Sequence, residues 1–437
     1  MTIQTYNDDL LGRKSFGDRL IKFIEIEQTF VDQSLVISLN GSFGSGKSTF
    51  LSMWKESLQS DKSSKQEIIH LNAWEDDYCQ EPLLSLIHSI VSVFNKDSPV
   101  ASSLVESAKD FFTFSWAIGK QVASKLSGVD AEAAGNEAKG KKKQRAGLAP
   151  NLFDVFVTQK KAVATLKSSL TEALAKNDKC IWILIDELDR CKPDYAIAYL
   201  ETIKHIFDIP NLVFVLAVDR EQLKNTAQSM FGAGLNFTEY YRKFVHREVT
   251  LPQIDKQNYD NLVNKYLNKF LQKQDRRTCS LELDTDSFER LSLLVQNLKL
   301  TPRQLEEAFR IAGHALATDE VNRKQIHCVV GNATIMMSLL RQKNPEEYKA
   351  LADGSLQPTQ AQSIFTFEKI RFIIWWVQLI LAGNGFHGGH NLSSILLEMN
   401  IKEDRPYGHE EFVDGWNGKT FSTIHQMLEE TVQWFPQ

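Results

Sequence analysis

The sequence predicts an α/β fold in which a mainly parallel five-stranded sheet lies between layers of helices and is followed by an all-helical region. Three observations predict it. Five strand-like apolar runs alternate with helical patterns between residues 35 and 251, and parallel neighbours need such crossovers. A glycine-rich loop separates the first of these strands from the helix that follows it. Beyond residue 252 nearly every segment has the helical period.

The elements follow in order along the chain. Short apolar runs predict strands at 35–39, 68–74, 180–185, 213–218 and 245–251. Helical spacing predicts helices from about residue 81, at 153–174 and at 194–207, and then at 259–271, 285–298, 302–315, 321–340 and 364–381. Between residues 120 and 150 the composition changes to Ala, Gly, Ser and Lys, which is typical of a flexible insertion.

Composition, charge and hydropathy argue against a broad nucleic-acid-binding surface, a secreted protein and a membrane-spanning helix. A formal net charge of -5 argues against a broad electrostatic surface for nucleic acid. The basic run KGKKKQR at 139–145 could contact nucleic acid or lipid, but a solvated charge run is the simpler interpretation. The five cysteines form no Cys-x-x-Cys pair and the first residues lack the apolar core of a signal peptide, so we expect a cytoplasmic protein. The apolar run at 372–381 is half the length of a membrane span and predicts a buried helix.

A phosphate-binding loop follows the first strand. Residues 41–48 match the pattern G-x-x-x-x-G-K-[ST] in full, between a strand and a helix as the motif requires. Its backbone N–H groups and the helix N-terminus favour a triphosphate, Lys47 would reach the β- and γ-phosphates, and Ser48 would bind Mg²⁺. The predicted nucleotide-binding residues are Gly41, Ser42, Phe43, Gly44, Ser45, Gly46, Lys47, Ser48 and, as a weaker candidate, Thr49.

Two carboxylates follow the apolar strand at 180–185. Asp186 and Glu187 end that strand, where ligands gather in open α/β sheets. We expect Asp186 to hold the Mg²⁺ shell and Glu187 to act as general base toward the attacking water. Asp219 ends the next strand and either lies near the γ-phosphate or caps the following helix.

Other motifs are less specific. The G-x-G-x-x-G match at 383–388 follows a helical pattern rather than a strand, which argues against a dinucleotide site. His387 and His390 have metal-like spacing without further ligands nearby, so exposed loop histidines are the simpler interpretation. Because no Asn-Lys-x-Asp follows any strand, ATP is favoured over GTP.

With both nucleotide motifs in place, residues 5–355 resemble the KAP family of P-loop NTPases. The matching stretches are DLLGRKSFGDRL, GSFGSGKST, LNAWEDD, IDELDRCKPDYA with VFVLAVDR, YYRKFVHREVTLP, TPRQLEEAFR and SLLRQKNPEEYKAL. The resemblance implies a core like that of the signal-transduction ATPases with numerous domains (STAND), themselves related to AAA+ proteins. It implies a P-loop three-layer sandwich at 1–252, a helical lid at 253–355 and a helical region of unassigned role at 356–437.

The resemblance also implies further site residues. Arg303 falls at the start of a lid helix, where a sensor arginine contacts the γ-phosphate in such proteins; a surface helix charge is the alternative. Arg242 and Lys243 occupy the place where related ATPases present a positive finger to a neighbouring subunit, so the active form would be an oligomer. Arg190 is another candidate for a γ-phosphate or interface contact, because guanidinium geometry suits several phosphate oxygens.

The resemblance implies an ATP-hydrolysing, Mg²⁺-dependent molecular switch or assembly ATPase with a role in defence against phage. Many KAP proteins carry transmembrane helices between the two nucleotide motifs, whereas this chain has only DFFTFSWAIG and the Ala/Gly/Lys insertion there, which predicts a soluble member. Two alternatives stay open: a nucleotide-binding scaffold that does not hydrolyse ATP, and an ATPase stimulated by nucleic acid. The tail after residue 356 is either a partner-docking surface or the core of a helical subdomain.

Overall fold

A computed structural model describes residues 5–60, 66–94, 106, 152–176, 180–270, 285–318, 326–356, 364, 370–385, 395–398 and 413–433. Contacts divide the chain into two compact units. The first comprises Met1–Asp8, Arg13–Ser42 and Lys47–Leu251, and the second comprises Asp9–Gly12, Phe43–Gly46 and Pro252–Gln437. The insertion at 120–150, with its basic run, and the two histidines of the HGGH segment lie outside the described residues.

The first unit is built on a five-stranded sheet. Its strands are β1 (Leu35–Asn40), β2 (Gln66–Asn72), β3 (Cys180–Asp186), β4 (Leu212–Val218) and β5 (Arg247–Thr250). They lie in the order β2-β3-β4-β1-β5 and every pairing is parallel. The predicted mainly parallel five-stranded sheet is therefore confirmed.

Helices cover both faces of this sheet. They are α1 (Lys14–Gln28), α2 (Lys47–Ser60), α3 (Ala73–Asp76), α4 (Pro82–Val91), α5 (Leu152–Lys176), α6 (Pro193–Ile206), α7 (Arg220–Phe231) and α8 (Phe237–Tyr241). Successive residues of a strand point to opposite faces, so Ile183 packs with α4, α5 and α6 while Trp182 packs with α1 and α2. The sheet is buried on both sides, which explains why its strands are continuous apolar runs rather than alternating ones.

The second unit is helical and has its own core. Its helices are α9 (Lys256–Phe270), α10 (Thr285–Leu298), α11 (Pro302–Thr318), α12 (Cys328–Lys343), α13 (Pro345–Ala352), α14 (Ile370–Gly383) and α15 (Phe421–Gln433). The apolar run at 372–381 forms the buried helix α14, and its Trp376 lies in the same core as Trp416. No helix in the described part of the chain combines the length and apolar character that crossing a membrane requires.

Among the predicted boundaries that differ from the structure, two are explained by side-chain caps. The second strand ends at Asn72 rather than residue 74, because the Asn72 side chain accepts hydrogen bonds from the amides of Trp74 and Glu75 and starts α3. Helix α12 begins at Cys328 rather than residue 321, because the ring of His327 caps it by accepting from the Val329 amide.

Candidate functional site

The loop at 41–48 leaves the carboxyl end of β1 and enters α2. Gly44 and Gly46 have φ angles of +75° and +91°, a left-handed conformation that favours glycine. The amide of Gly41 donates to the Val218 carbonyl oxygen (3.2 Å), so the loop starts from a fixed point beside β4. The loop therefore has the backbone geometry that the glycine spacing predicts.

Lys47 is the first residue of α2 and is largely buried. Its ammonium donates to the carbonyl oxygens of Gly41 (2.6 Å) and Ser42 (3.4 Å) inside the loop. These bonds keep the positive charge within the concave side of the loop, at the N-terminus of a helix that itself favours anions. Ser48 and Thr49 follow in the first turn of α2, with Ser48 exposed and Thr49 half-buried.

Asp186 ends β3 next to the loop and is only 4% exposed. Its carboxylate accepts a hydrogen bond from the amide of Glu187 (2.9 Å), and the Ser48 hydroxyl lies close enough to affect its pKa. Burial raises the pKa of Asp186, the negative charge of Glu187 raises it further, and the Ser48 hydroxyl and the Lys47 charge oppose both. The structure thus brings together the two predicted metal ligands.

This pair fits Mg²⁺. The Ser48 hydroxyl and the nearby Asp186 carboxylate supply two hard oxygen ligands, and Mg²⁺ commonly takes the rest from phosphates and water. Within the described ranges, no group of three or more His, Cys, Asp or Glu side chains is placed to hold a metal ion.

Glu187 is held by two side chains. One carboxylate oxygen accepts from the Arg190 guanidinium (2.8 Å) and the other from the Asn72 amide (3.1 Å). The φ angle of Glu187 is +60°, a left-handed conformation that a side chain rarely adopts. The predicted general base is thus fixed at the edge of the sheet by its backbone and by both oxygens.

Asn72 is a site residue that the sequence analysis missed. It ends β2, the neighbour of β3, and its side chain both caps α3 and bonds Glu187, which lies 115 positions away. The spacing from Asn72 to Glu75 resembles a capping box, so the cap was detectable in the sequence. The contact with Glu187 was not detectable, because it depends on the strand order.

Asp189 is a second residue that was missed. It is 7% exposed and accepts a hydrogen bond from the Asp219 amide (2.8 Å). Burial raises its pKa, while the Asp219 amide bond and the Lys47 charge oppose that shift. Asp219 itself caps α7, because its side chain accepts from the amides of Glu221 and Gln222. The helix-cap alternative for Asp219 is therefore what its side chain does in this structure, and its proximity to a γ-phosphate stays a prediction.

The remaining predicted cations lie in three places. The Arg190 guanidinium, besides bonding Glu187, lies 5.6 Å from the Trp74 ring centroid. In the second unit, the Arg303 guanidinium lies 4.8 Å from the ring centroid of Phe43, at the start of α11. A Cβ atom added to Gly44 would come within 3.0 Å of the Arg303 side chain, so this loop glycine is also required for space.

Arg242 and Lys243 follow α8 on the surface of the first unit. Arg242 is about two-thirds exposed and pairs with Glu239 (2.9 Å), and the Lys243 ammonium lies 6.0 Å from the Tyr240 ring. Both are accessible to another molecule, and their predicted contact with a neighbouring subunit stays a prediction.

A model described as the KAP family P-loop domain matches residues 13–312. No curated protein matches the chain. Among solved structures, PCH-2 of C. elegans aligns with 10% identity over 76% of this chain and 69% of that one, with a TM-score of 0.32.

Proposed function

The chain belongs to the KAP family of P-loop NTPases, and from this premise we propose that it binds ATP with Mg²⁺ and hydrolyses it. The observation that carries the proposal is the meeting of two motifs at one edge of the sheet. Lys47 and Ser48 stand at the start of α2, and Asp186, which lies near Ser48, ends β3. Phosphoryl transfer needs mainly positioning and charge neutralisation, which these groups supply.

Each residue has a role that its geometry supports. Lys47 would exchange its bonds to the Gly41 and Ser42 carbonyl oxygens for bonds to the β- and γ-phosphates. Ser48 and Asp186 would hold Mg²⁺, which when bound neutralises charge on the same phosphates. Glu187 would orient the attacking water and accept its proton.

The contacts of Glu187 support a switch rather than a fast constitutive enzyme. Both of its oxygens accept hydrogen bonds, from Asn72 and Arg190, so the carboxylate has to be reoriented or shared before it can serve a water molecule. The same contacts favour a second candidate function, an ATP-binding scaffold with negligible turnover. Assembly through Arg242 and Lys243 and a role in phage defence extend the proposal, as the family resemblance implies.

Variants of two residues test the proposal. We expect Glu187→Gln to retain ATP binding but to release phosphate about a hundredfold more slowly, or slower still. The reason is that general-base catalysis contributes a rate factor of about 10²–10⁴. Lys47→Ala should lose ATP binding itself. ATP binding by calorimetry and phosphate release by a coupled assay measure the two effects.

Glu56→Gln is the matched control, since Glu56 is an exposed carboxylate on the same helix as Lys47. Phosphate release by Glu187→Gln at the parent rate would refute the general-base role. Tight ATP binding by the parent protein with no phosphate release would favour the scaffold.

A further inference from the structure

A cavity of about 450 Å³ lies in the second unit among α12, α13 and α15. It is lined by Arg341, Pro345, Tyr348, Lys349, His425 and Glu429. Its volume falls in the range of small-molecule sites, about 300–1,000 Å³. None of these residues belongs to the nucleotide motifs, so the cavity needs a separate explanation.

The single acidic group of the lining is already neutralised. Glu429 accepts hydrogen bonds from Arg341 through Nε (2.9 Å) and Nη2 (3.4 Å), and from the Tyr348 hydroxyl (2.8 Å). These bonds lower the pKa of Glu429, so it is ionised at neutral pH and paired with one positive charge. It therefore adds no net negative field to the cavity.

The remaining polar groups of the lining are donors. Arg341 uses Nε and Nη2 for Glu429, which leaves the hydrogens of Nη1 for another acceptor. The Lys349 ammonium is exposed and forms no ion pair or hydrogen bond with the part of the chain that the structure describes.

His425 contributes the third donor. Its Nδ1 atom is buried and has no hydrogen-bond partner among the described residues, whereas Nε2 is not enclosed in this way. The tautomer with its proton on Nε2 keeps the N–H at the accessible edge of the ring and avoids a buried donor without an acceptor. Arg341, Lys349 and His425 thus offer N–H groups from three different helices.

We propose that this cavity binds the phosphate group of a small phosphorylated molecule. The lining carries two permanent positive charges against one negative charge, and the N–H groups of Arg341, Lys349 and His425 that face no acceptor among the described residues select an oxyanion. Three donors from three helices match the several oxygens of a phosphate better than the two of a carboxylate. The volume exceeds that of a phosphate ion and leaves room beside Pro345 for an organic group.

The test uses the full-length chain carrying Lys47→Ala, so that the phosphate loop does not contribute to binding. Ribose 5-phosphate, inorganic phosphate and ribose are titrated separately by calorimetry. We expect saturable binding of ribose 5-phosphate at one site, competition by inorganic phosphate, and no binding of ribose.

Adding Lys349→Gln and His425→Gln should weaken ribose 5-phosphate binding at least tenfold. Lys343→Gln, an exposed lysine near the end of the same helix as Arg341, should leave it unchanged. Equal affinity in all these variants, or no saturable binding at 10 mM, would overturn the proposal. Because Lys47 is already replaced, neither outcome depends on whether the protein hydrolyses ATP.

Discussion

The backbone of Glu187 is a strained point in the nucleotide site. A residue with a side chain pays about 1–2 kcal/mol to adopt its left-handed conformation, so the surroundings have to enforce it. The bond from the Glu187 amide to Asp186 and the two bonds to its carboxylate do so. Because of this conformation the two consecutive carboxylates point in different directions. Asp186 faces Ser48, and Glu187 faces Asn72 and Arg190.

Replacing Arg190 by Met tests whether this clamp restrains hydrolysis. The substitution keeps an apolar side chain of similar length but removes the ion pair to Glu187 and the guanidinium that lies over Trp74. We expect basal phosphate release to rise about fivefold with ATP affinity unchanged, because a partly exposed pair contributes about 1 kcal/mol. Single-turnover phosphate release measures the rate.

Arg310→Met is the control, since Arg310 forms an equivalent pair three residues from Glu307 on α11. A large fall in rate for Arg190→Met would instead assign Arg190 to the γ-phosphate, as the family resemblance implies.

A residue of the site was predictable from the sequence when the pattern that identifies it lies within one short stretch of the chain. Lys47 and Ser48 follow from one loop pattern, and Asp186 and Glu187 follow from one strand end. Asn72 and Asp189 were missed because their contacts depend on which strands are neighbours. Asn72 reaches Glu187 only because β2 pairs with β3 in register, with Asn72 opposite Asp186.

At the scale of elements, strand and helix types were predicted better than their ends. The fifth strand was predicted at 245–251 and spans Arg247–Thr250, because the chain after α8 is still turning through Phe244. The short helix α3 was read as strand because Ala73 and Trp74 continue the apolar run of β2. A side-chain cap overrides that run, which periodicity does not detect.

Helix α15 provides a prediction about acid stability. Its Glu429 bonds Arg341 and Tyr348, and the pKa of Glu429 lies below its ordinary value chiefly because of the Arg341 bond. A lowered pKa stabilises the folded state above the ordinary value of 4.5, and this contribution is lost as the pH falls below 4.5.

We therefore expect Glu429→Gln to lower the free energy of unfolding by about 1 kcal/mol at pH 7. The difference from the parent protein should shrink at pH 3.5. Urea unfolding at both pH values measures this, with Glu430→Gln, the exposed neighbour, as control. An equal difference at both pH values would contradict the assignment.

At the scale of the whole molecule, the chain carries two separately built cores. The sheet of the first unit is packed on both faces, and the helices of the second unit enclose their own set of aromatic and aliphatic side chains. Trp376 and Trp416 belong to that second core, so packing accounts for these two tryptophans. The charged side chains around Lys47 are part of neither core.

Nucleotide binding should stabilise the protein as a whole. At free ATP a hundredfold above its dissociation constant, binding to the folded state adds about 2.7 kcal/mol. In the presence of Mg²⁺ we expect the midpoint of thermal unfolding to rise by several degrees, and to rise less when EDTA removes the metal. Lys47→Ala should show no rise with ATP. A rise in that variant equal to the parent's would place ATP at another site.

The strand order also determines when, during synthesis, the nascent chain can first bind nucleotide. β1 carries the phosphate loop, yet its sheet neighbours come much later: Leu35 lies opposite Val213, and Ile37 opposite Arg247. At roughly 5–20 residues per second a ribosome needs about ten seconds or more to supply them, and such distant parallel pairings form slowly. The loop is made early but stays unsupported until β4 and β5 emerge, so nascent chains should acquire nucleotide affinity abruptly and late.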